Sequence, residues 1–275
     1  MCRWLTYCGD PIYLDRMIFE AKNSLIHQSL NARLSHVTTN GDGFGVGWYA
    51  ERNTPGTYRD ILPAWNDANL RSIAHQIRSG LFFAHVRAST GTATSRSNCH
   101  PFSHGKWLFM HNGQIGGFCT LRRRIENMIP DRFYGQRRGG TDSEAIFLIA
   151  MGDIDNEGPV EAVRLALARI TAEMDQAGIG EALRFAAALS DGHSLSVFRW
   201  SSDPLAPSVY YRHTATALIV VSEPIDDHAD GWQALATNHV LTTRCGESAE
   251  RPVIAAFDAG VRKAASLRRV EAELV

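Results

Sequence analysis

No stretch of this 275-residue chain supplies the roughly 20 consecutive apolar positions needed to cross a bilayer. The amino terminus also lacks a basic segment followed by an apolar signal core, so a soluble, cytoplasmic protein with no membrane partner is expected. Charge of one sign is not in excess either. Lys and Arg number 28 and Asp and Glu 29, a formal net charge of -1, which excludes the global basic field that drives phosphate-backbone binding. Nucleic acid is therefore not an expected partner, and a small-molecule substrate fits better. Cysteine is sparse and odd in number, five residues at positions 2, 8, 99, 119 and 245, which does not make a secreted disulfide framework. Reduced thiols are expected. CxxC pairs are missing; Cys99, His100 and His104 lie close together, but a closed zinc site takes about four ligands, usually in two spaced pairs, and no second pair stands out. The sequence calls for no metal and no other cofactor. It also lacks the GxxxxGK[ST] phosphate loop, and its glycine-rich TNGDGFGVGWYA, from Thr39 to Ala50, reads as a tight turn entering an aromatic strand.

What is present is an ordinary globular composition, 44% hydrophobic and 21% charged, with no internal repeat or low-complexity segment. A single domain over residues 1–275 is expected. Cys2 to Tyr7 reads as a short strand at the chain terminus. Leu81 to Val86 and Trp107 to Met110 are apolar runs of strand length, each ending in a polar cluster, with His85, Arg87, Ser89 and Thr90 after one and His111, Asn112 and Gly113 after the other. Polar groups gathered at strand ends suggest a site. Phe118 to Met128 is a basic helix candidate whose arginines read as a solvated face. Thr141 and Glu144 match a capping box ahead of the apolar run Ala145 to Met151, which places Asp142 in a helix's first turn. Val160, Val163, Leu167, Ile170 and Met174 recur at helical spacing and should pack on a sheet. Short strands follow at Ser194 to Trp200, Ser208 to Tyr211 and Leu218 to Val221.

Cys2 carries the sharpest chemistry. A thiol attacks an amide carbonyl as thiolate, and a free cysteine near pKa 8.5 is only slightly ionised at neutral pH, so it needs a base or a positive neighbour. Once Met1 is cleaved, the α-amino group of Cys2 itself, with a reference pKa near 8, can exchange a proton with the sulfur. Taken alone, Cys2 could equally be an ordinary cysteine at a strand start, Asn112-Gly113 a hairpin turn, and Asp142 simple capping chemistry.

Four segments decide between those readings. Met-Cys at the start, AHVRASTGT from Ala84 to Thr92, HNGQI from His111 to Ile115 and GTDSE from Gly140 to Glu144 resemble, in order, the motifs of class II glutamine amidotransferases, the amino-terminal-nucleophile family. SNCHPF, from Ser97 to Phe102, is similar to the NxHP segment that lies between the first two of the later three. The resemblance covers roughly the first 150 residues and implies an α+β fold, the four-layer αββα sandwich of amino-terminal-nucleophile hydrolases, with two facing antiparallel sheets and helices outside. It implies Cys2 as nucleophile, and it agrees with a physical assignment of the rest. Attack creates a tetrahedral oxyanion that the side-chain amide of Asn112 and the backbone N–H of Gly113 can hold, glycine allowing close approach. Arg87 can grip the substrate's α-carboxylate through its fork, with Thr90 as a nearby hydroxyl donor, and Asp142, kept ionised at a helix N-terminus, can receive the α-ammonium. His85, His100 and His111 are given structural roles, because the terminal amine makes a histidine base unnecessary.

The sequence departs from the family's synthases in two ways. Ala88 stands where their motif has tryptophan after the arginine, which alters the wall of the glutamine pocket. About 125 residues remain after the motifs, and they read as completion of the same layers rather than as an ammonia-consuming domain. The chain is thus similar to the short branch that includes hydrolases of γ-glutamyl conjugates, such as those of ergothioneine synthesis or glutathione breakdown. Three functions stay open: an independent hydrolase of glutamine or of a γ-glutamyl compound, a glutaminase subunit feeding ammonia to a separate synthase, and a catalytically silent glutamine-binding module. The oligomeric state is not legible; a homodimer is one compatible state.

Overall fold

The structure is a computed structural model and describes residues 2–32, 39–89, 93–227, 231–246 and 250–260. Met1 and Thr90 lie outside the described residues. Within them thirteen strands run in chain order: β1 (Arg3–Tyr13), β2 (Phe44–Tyr49), β3 (Gly56–Asp60), β4 (Arg78–Val86), β5 (Phe102–His104), β6 (Trp107–Gln114), β7 (Arg184–Ser190), β8 (Ser194–Ser201), β9 (Tyr210–His213), β10 (Ala217–Val221), β11 (Gln233–Ala234), β12 (His239–Arg244) and β13 (Val253–Ala256). They form a seven-stranded sheet in the order β11-β9-β10-β1-β4-β2-β3 and a six-stranded sheet in the order β13-β12-β8-β7-β6-β5. Every pairing is antiparallel.

The layers follow from which residues alternate onto which face. Trp4, Cys8, Leu81, Phe83, Leu218 and Val220 from the first sheet meet Leu108, Met110, Ala186, Ala188, Val197 and Leu241 from the second, making one core between the sheets. Leu5, Tyr7, Phe82, Ala84 and Val86 turn the other way and pack under the helices Asp15–Ile18, Leu25–Leu30 and Ala68–Gln76. On the far side, Phe109, Phe185, Ala187 and Phe198 face the helices Phe118–Glu126, Asp142–Ala150 and Pro159–Gln176. This period-two sorting of side chains to opposite faces is what two-sided burial of a strand demands. It produces the four-layer αββα sandwich expected from the motifs.

Most of the elements expected from the sequence are present. The Val160-to-Met174 stripe lies on the helix Pro159–Gln176, with Val163, Leu167, Ile170 and Met174 buried in the outer core. β1 continues past Tyr7 to Tyr13 through a register shift between Cys8 and Ile12. The glycine-rich approach is indeed a turn into a strand: Gly43 has φ +108°, and a Cβ there would stand 2.7 Å from the Cys99 sulfur, so only glycine fits before β2. The expected Ser208-to-Tyr211 strand begins two residues later, at Tyr210. β7 was not foreseen; its RFAAALS reads weakly as a strand because small alanines fill the tight space between sheets.

Reduced thiols are not the general rule here. Cys8, on β1, and Cys245, just after β12, are joined by a disulfide across the two sheets with their Cα atoms 5.6 Å apart. Their 237-residue separation left nothing in the sequence to pair them. Cys2, Cys99 and Cys119 are free thiols. Among the described residues no helix is long and apolar enough to cross a membrane, and no three His, Cys, Asp or Glu side chains gather as a metal site.

Candidate active site

The site forms where the ends of β1 and β4 in one sheet face the end of β6 in the other. Arg3 pairs with Val86 across β1 and β4, so Cys2 lands beside the residues that leave β4. There the Ala88 N–H donates to the Cys2 sulfur at 3.4 Å, and the thiol reaches the Ala88 carbonyl at 3.6 Å. The Cys2 carbonyl is held from two sides, by the Arg3 Nη1 at 3.0 Å and by the Asn112 side-chain Nδ2 at 3.2 Å. Asn112 thus touches the backbone of Cys2 from the opposite sheet, using one of its two amide hydrogens and keeping the other. Burial pushes the Cys2 thiol above its ordinary value, opposed by the Ala88 N–H and by the positive charges of Arg87 and Arg3.

Arg3 was not singled out from the sequence, yet it is among the most deeply buried side chains of the molecule. Its Nε pairs with Glu223 at 3.0 Å, and Glu223 is fixed in turn by the Asn23 amide at 3.3 Å. A charged residue in the apolar opening strand was the available signal. Such a residue is retained inside a core only with a partner.

Asn112 and Gly113 do not form the hairpin turn their sequence allows. Both lie within β6, opposite Ala186 and Phe185 of β7. A Cβ at Gly113 would collide with the Arg184 carbonyl oxygen and stand 2.5 Å from the His111 ring, so the close passage of β7 imposes glycine. His111 is buried, its Nδ1 2.8 Å from the Ser143 hydroxyl and its Nε2 3.2 Å from the Arg184 carbonyl. Since a carbonyl only accepts, Nε2 carries the proton in the neutral ring, and the Ser143 hydroxyl has one proton for two acceptors, Nδ1 at 2.8 Å and the Asp142 carboxylate at 3.3 Å. Burial holds the His111 pKa below its ordinary value. It does the same to His85, pushed down to about 3, and to His100, whose ring lies 4.4 Å from that of His85. Neutral, buried rings suit the structural roles expected of them.

Arg87 is 4% exposed and continues β4 by accepting a place in the glycine-rich turn: its N–H donates to the Gly43 carbonyl at 2.8 Å, and its carbonyl accepts from Asp42 N–H at 3.0 Å. Its guanidinium reaches the Ser89 hydroxyl at 3.1 Å, the Asp42 carbonyl at 3.4 Å and the Ala93 carbonyl at 3.5 Å. The Asp42 carboxylate in turn accepts from Ser89 N–H at 2.7 Å. The segment from Thr39 to Ala50 therefore buttresses the arginine, a role its motif alone did not reveal.

Asp142 opens the helix Asp142–Ala150. Its carboxylate accepts from Ile115 N–H at 2.9 Å, at the end of the HNGQI segment, and from Ser143 N–H at 2.8 Å. Half of the expected capping box is present, Thr141 Oγ1 accepting from Glu144 N–H at 3.2 Å. The other half is replaced. Glu144 turns to the loop ahead of the helix, accepting from Arg138 N–H at 3.0 Å, Gly139 N–H at 2.8 Å and the Arg137 guanidinium at 3.0 Å. A carboxylate with a buried arginine beside it gains more from that pair than from the N-cap backbone.

Cys99, His100 and His104 do not assemble as ligands: the Cys99 thiol donates to the carbonyls of Asp60 and Ser95, at 3.4 and 3.5 Å, and the His104 ring packs edge-on against Phe133.

Comparison with known proteins identifies the family. The family model described as "Glutamine amidotransferases class-II" matches residues 16–209. The chain is 31% identical to the Saccharomyces cerevisiae protein named probable glutamine amidotransferase DUG3, over 92% of this chain and 85% of the yeast one. It is 27% identical to the gamma-glutamyl-hercynylcysteine sulfoxide hydrolase of Mycolicibacterium smegmatis, over 89% of this chain and 96% of that one. Among solved structures it is similar to a glutamine aminotransferase class-II domain protein from Silicibacter pomeroyi, with 38% identity, a TM-score of 0.71, and coverage of 93% of this chain and 99% of that one.

Proposed function

The chain belongs to the class-II glutamine amidotransferases and is an amidohydrolase, and from that premise we propose which residues carry the reaction and on what substrate. With Met1 removed, the Cys2 α-amine takes the thiol proton. The thiolate then attacks the δ-carbonyl of glutamine or of a γ-glutamyl conjugate. The oxyanion so formed is held by the free N–H of the Asn112 amide and by the Gly113 backbone N–H, donors whose individual loss typically costs about 3 kcal/mol of barrier. Collapse breaks the C–N bond; the protonated α-amine returns its proton to the leaving amine, and a γ-glutamyl thioester remains on Cys2. Water, deprotonated by the same α-amine, adds to the thioester carbonyl, and the C–S bond breaks to release glutamate and restore the thiol. Arg87, with Thr90, holds the α-carboxylate and Asp142 the α-ammonium, so that the carbonyl meets the sulfur in register.

The observation that carries this reading is the meeting of both sheets on one residue: Ala88, next to Arg87, contacts the Cys2 sulfur while Asn112 contacts the Cys2 carbonyl. Among the functions open from the sequence, an independent γ-glutamyl amidohydrolase of the cytoplasm is favoured, its single domain spanning residues 1–275. The backbone of Ala88 contacts the Cys2 sulfur, and its side chain is a methyl group where family synthases carry an indole, a smaller group that suits a leaving group larger than ammonia. The full-length match to a relative named as a γ-glutamyl-conjugate hydrolase supports the same choice. A glutaminase subunit serving a separate synthase is the second reading.

Release of glutamate from L-glutamine and from a panel of γ-glutamyl amides, by protein verified by intact mass to lack Met1, tests the proposal. One conjugate should be preferred, and Cys2→Ala should lower its turnover at least a thousandfold. Full activity in that variant would remove the nucleophile assignment, and uniformly slow glutaminase activity stimulated by a co-purifying protein would favour the second reading.

A further inference from the structure

The α-carboxylate and α-ammonium of a γ-glutamyl group hang on one carbon, so standard bond lengths keep the carboxyl carbon and the nitrogen on the order of 2.5 Å apart. A protein that reads both with one cation and one anion must hold those two groups at a matching spacing. A misplacement of about 1 Å can cost about a hundredfold in rate. Arg87 comes from the first sheet and Asp142 from a helix packed on the second, and strand pairing within either sheet does not set their separation.

We propose that Asn98 sets it: the Asn98 side-chain amide ties the loop that follows Arg87 to the loop that precedes Asp142, and so acts as the positioning residue for substrate recognition. The inference rests on Arg87 and Asp142 being the recognition pair proposed above. Asn98 Nδ2 donates to the Ala93 carbonyl at 2.7 Å, the oxygen that also accepts from the Arg87 guanidinium at 3.5 Å. Asn98 Oδ1 accepts from Gly140 N–H at 2.8 Å, and Gly140 directly precedes Thr141, the N-cap of the helix that Asp142 opens. An unbroken line of contacts therefore runs from Arg87 through Ala93, Asn98 and Gly140 to the first turn at Asp142.

Three features suit Asn98 to this task. It is 4% exposed, so water does not replace the bonds it would lose, and a buried amide stripped of a partner costs about 1–3 kcal/mol. Its amide donates on one side and accepts on the other, which neither a carboxylate nor an aliphatic side chain of that size can do. The contact also leaves no slack, since a Cβ at Gly139 would strike the Asn98 oxygen and stand 2.7 Å from the Ser97 carbonyl.

The test uses the full chain and two substrates, L-glutamine and glutaramic acid, which keeps the carboxylate and amide but lacks the ammonium. Asn98→Asp keeps the size and the acceptor for Gly140 while removing the donor to Ala93; Asn98→Ala removes both. Each folded variant should raise KM for L-glutamine at least tenfold with kcat changed less than threefold, and should cut the preference for L-glutamine over glutaramic acid by a similar factor. Alkylation of Cys2 by iodoacetamide should proceed at the parental rate. An unchanged KM, an equal loss on both substrates, or failure of both variants to fold would overturn the inference and leave Asn98 a folding residue. Arg87→Lys and Asp142→Asn are assayed in parallel: if neither changes KM for L-glutamine, the recognition pair itself is wrong, a failure distinct from that of Asn98.

Discussion

Arg87 and Asp142 serve one substrate in the proposed reaction, but their surroundings hold them differently. The Asp142 carboxylate is gripped by two backbone N–H groups at 2.8 and 2.9 Å, in the first turn of a helix whose preceding loop is clamped by Glu144 and Arg137. The guanidinium of Arg87 makes its described bonds at 3.1 to 3.5 Å, to a serine hydroxyl and to loop carbonyls. Short bonds from backbone to a charged group are the stronger kind, and they fix the Asp142 carboxylate in place. The comparison teaches that, in the proposed reaction, the second sheet and the helix packed on it form the fixed wall of the site, with the proposed oxyanion donors and the proposed anionic reader. The first sheet supplies the proposed nucleophile, Cys2, and the proposed cation, Arg87.

The strongest challenge to this division is Asn112→Ala, because the fixed wall should carry the transition-state charge. We expect kcat to fall about a hundredfold or more with KM little changed, measured as steady-state glutamate release. A loss confined to KM would move Asn112 from the oxyanion to substrate binding.

A finer comparison sets Asp142→Asn against Arg87→Lys. Removing the charge of Asp142, held by two backbone N–H groups, should lower kcat/KM about thirtyfold, whereas lysine at position 87 should cost about tenfold, since it keeps the charge and loses only the fork. Equal losses, or the reverse order, would end the distinction between the two walls.

The smallest effect expected is on stability, and both sheets share it. His85, on the first sheet, and His111, on the second, have pKa values depressed by burial. Below about pH 6.5 the unfolded chain binds protons that the folded chain refuses, so stability is complete above that pH and falls as the solution is acidified, continuing toward about 3 for His85. Each such histidine contributes a slope of up to about 1.4 kcal/mol per pH unit. Denaturant unfolding at pH 7, 6 and 5 should show the decline, and His85→Phe should flatten it by one histidine's share. An unchanged slope in that variant would show His85 to be charged or exposed.

Much of the site was legible because its residues sit at the ends of readable elements. The Leu81-to-Val86 and Trp107-to-Met110 runs were strands, and Asp142 did start a capped helix. Asn112-Gly113 shows the limit of local reading, since the dipeptide prefers a turn and lies instead inside β6, where only the approach of β7 explains the glycine. Arg3 and Asn98 were passed over as actors for a similar reason. Glu223, the partner of Arg3, and Gly140, one of the partners of Asn98, lie on separate parts of the chain, and a hydrogen bond between distant segments leaves no periodicity to detect.

By itself, the sequence determined the family through ordered motifs, the layered fold through what that resemblance implies, and several strands and helices through their apolar patterns. Only the tertiary structure decided that Cys8 meets Cys245, that Glu144 abandons its cap for Arg137, and that Arg3 is buried beside Cys2. Patterns along the chain encode which face of an element is apolar, because burial acts on each residue separately. Which polar atom pairs with which is encoded only in how the two sheets and their loops come to rest against each other, because a hydrogen bond depends on distances of a few tenths of an ångström that no local pattern carries.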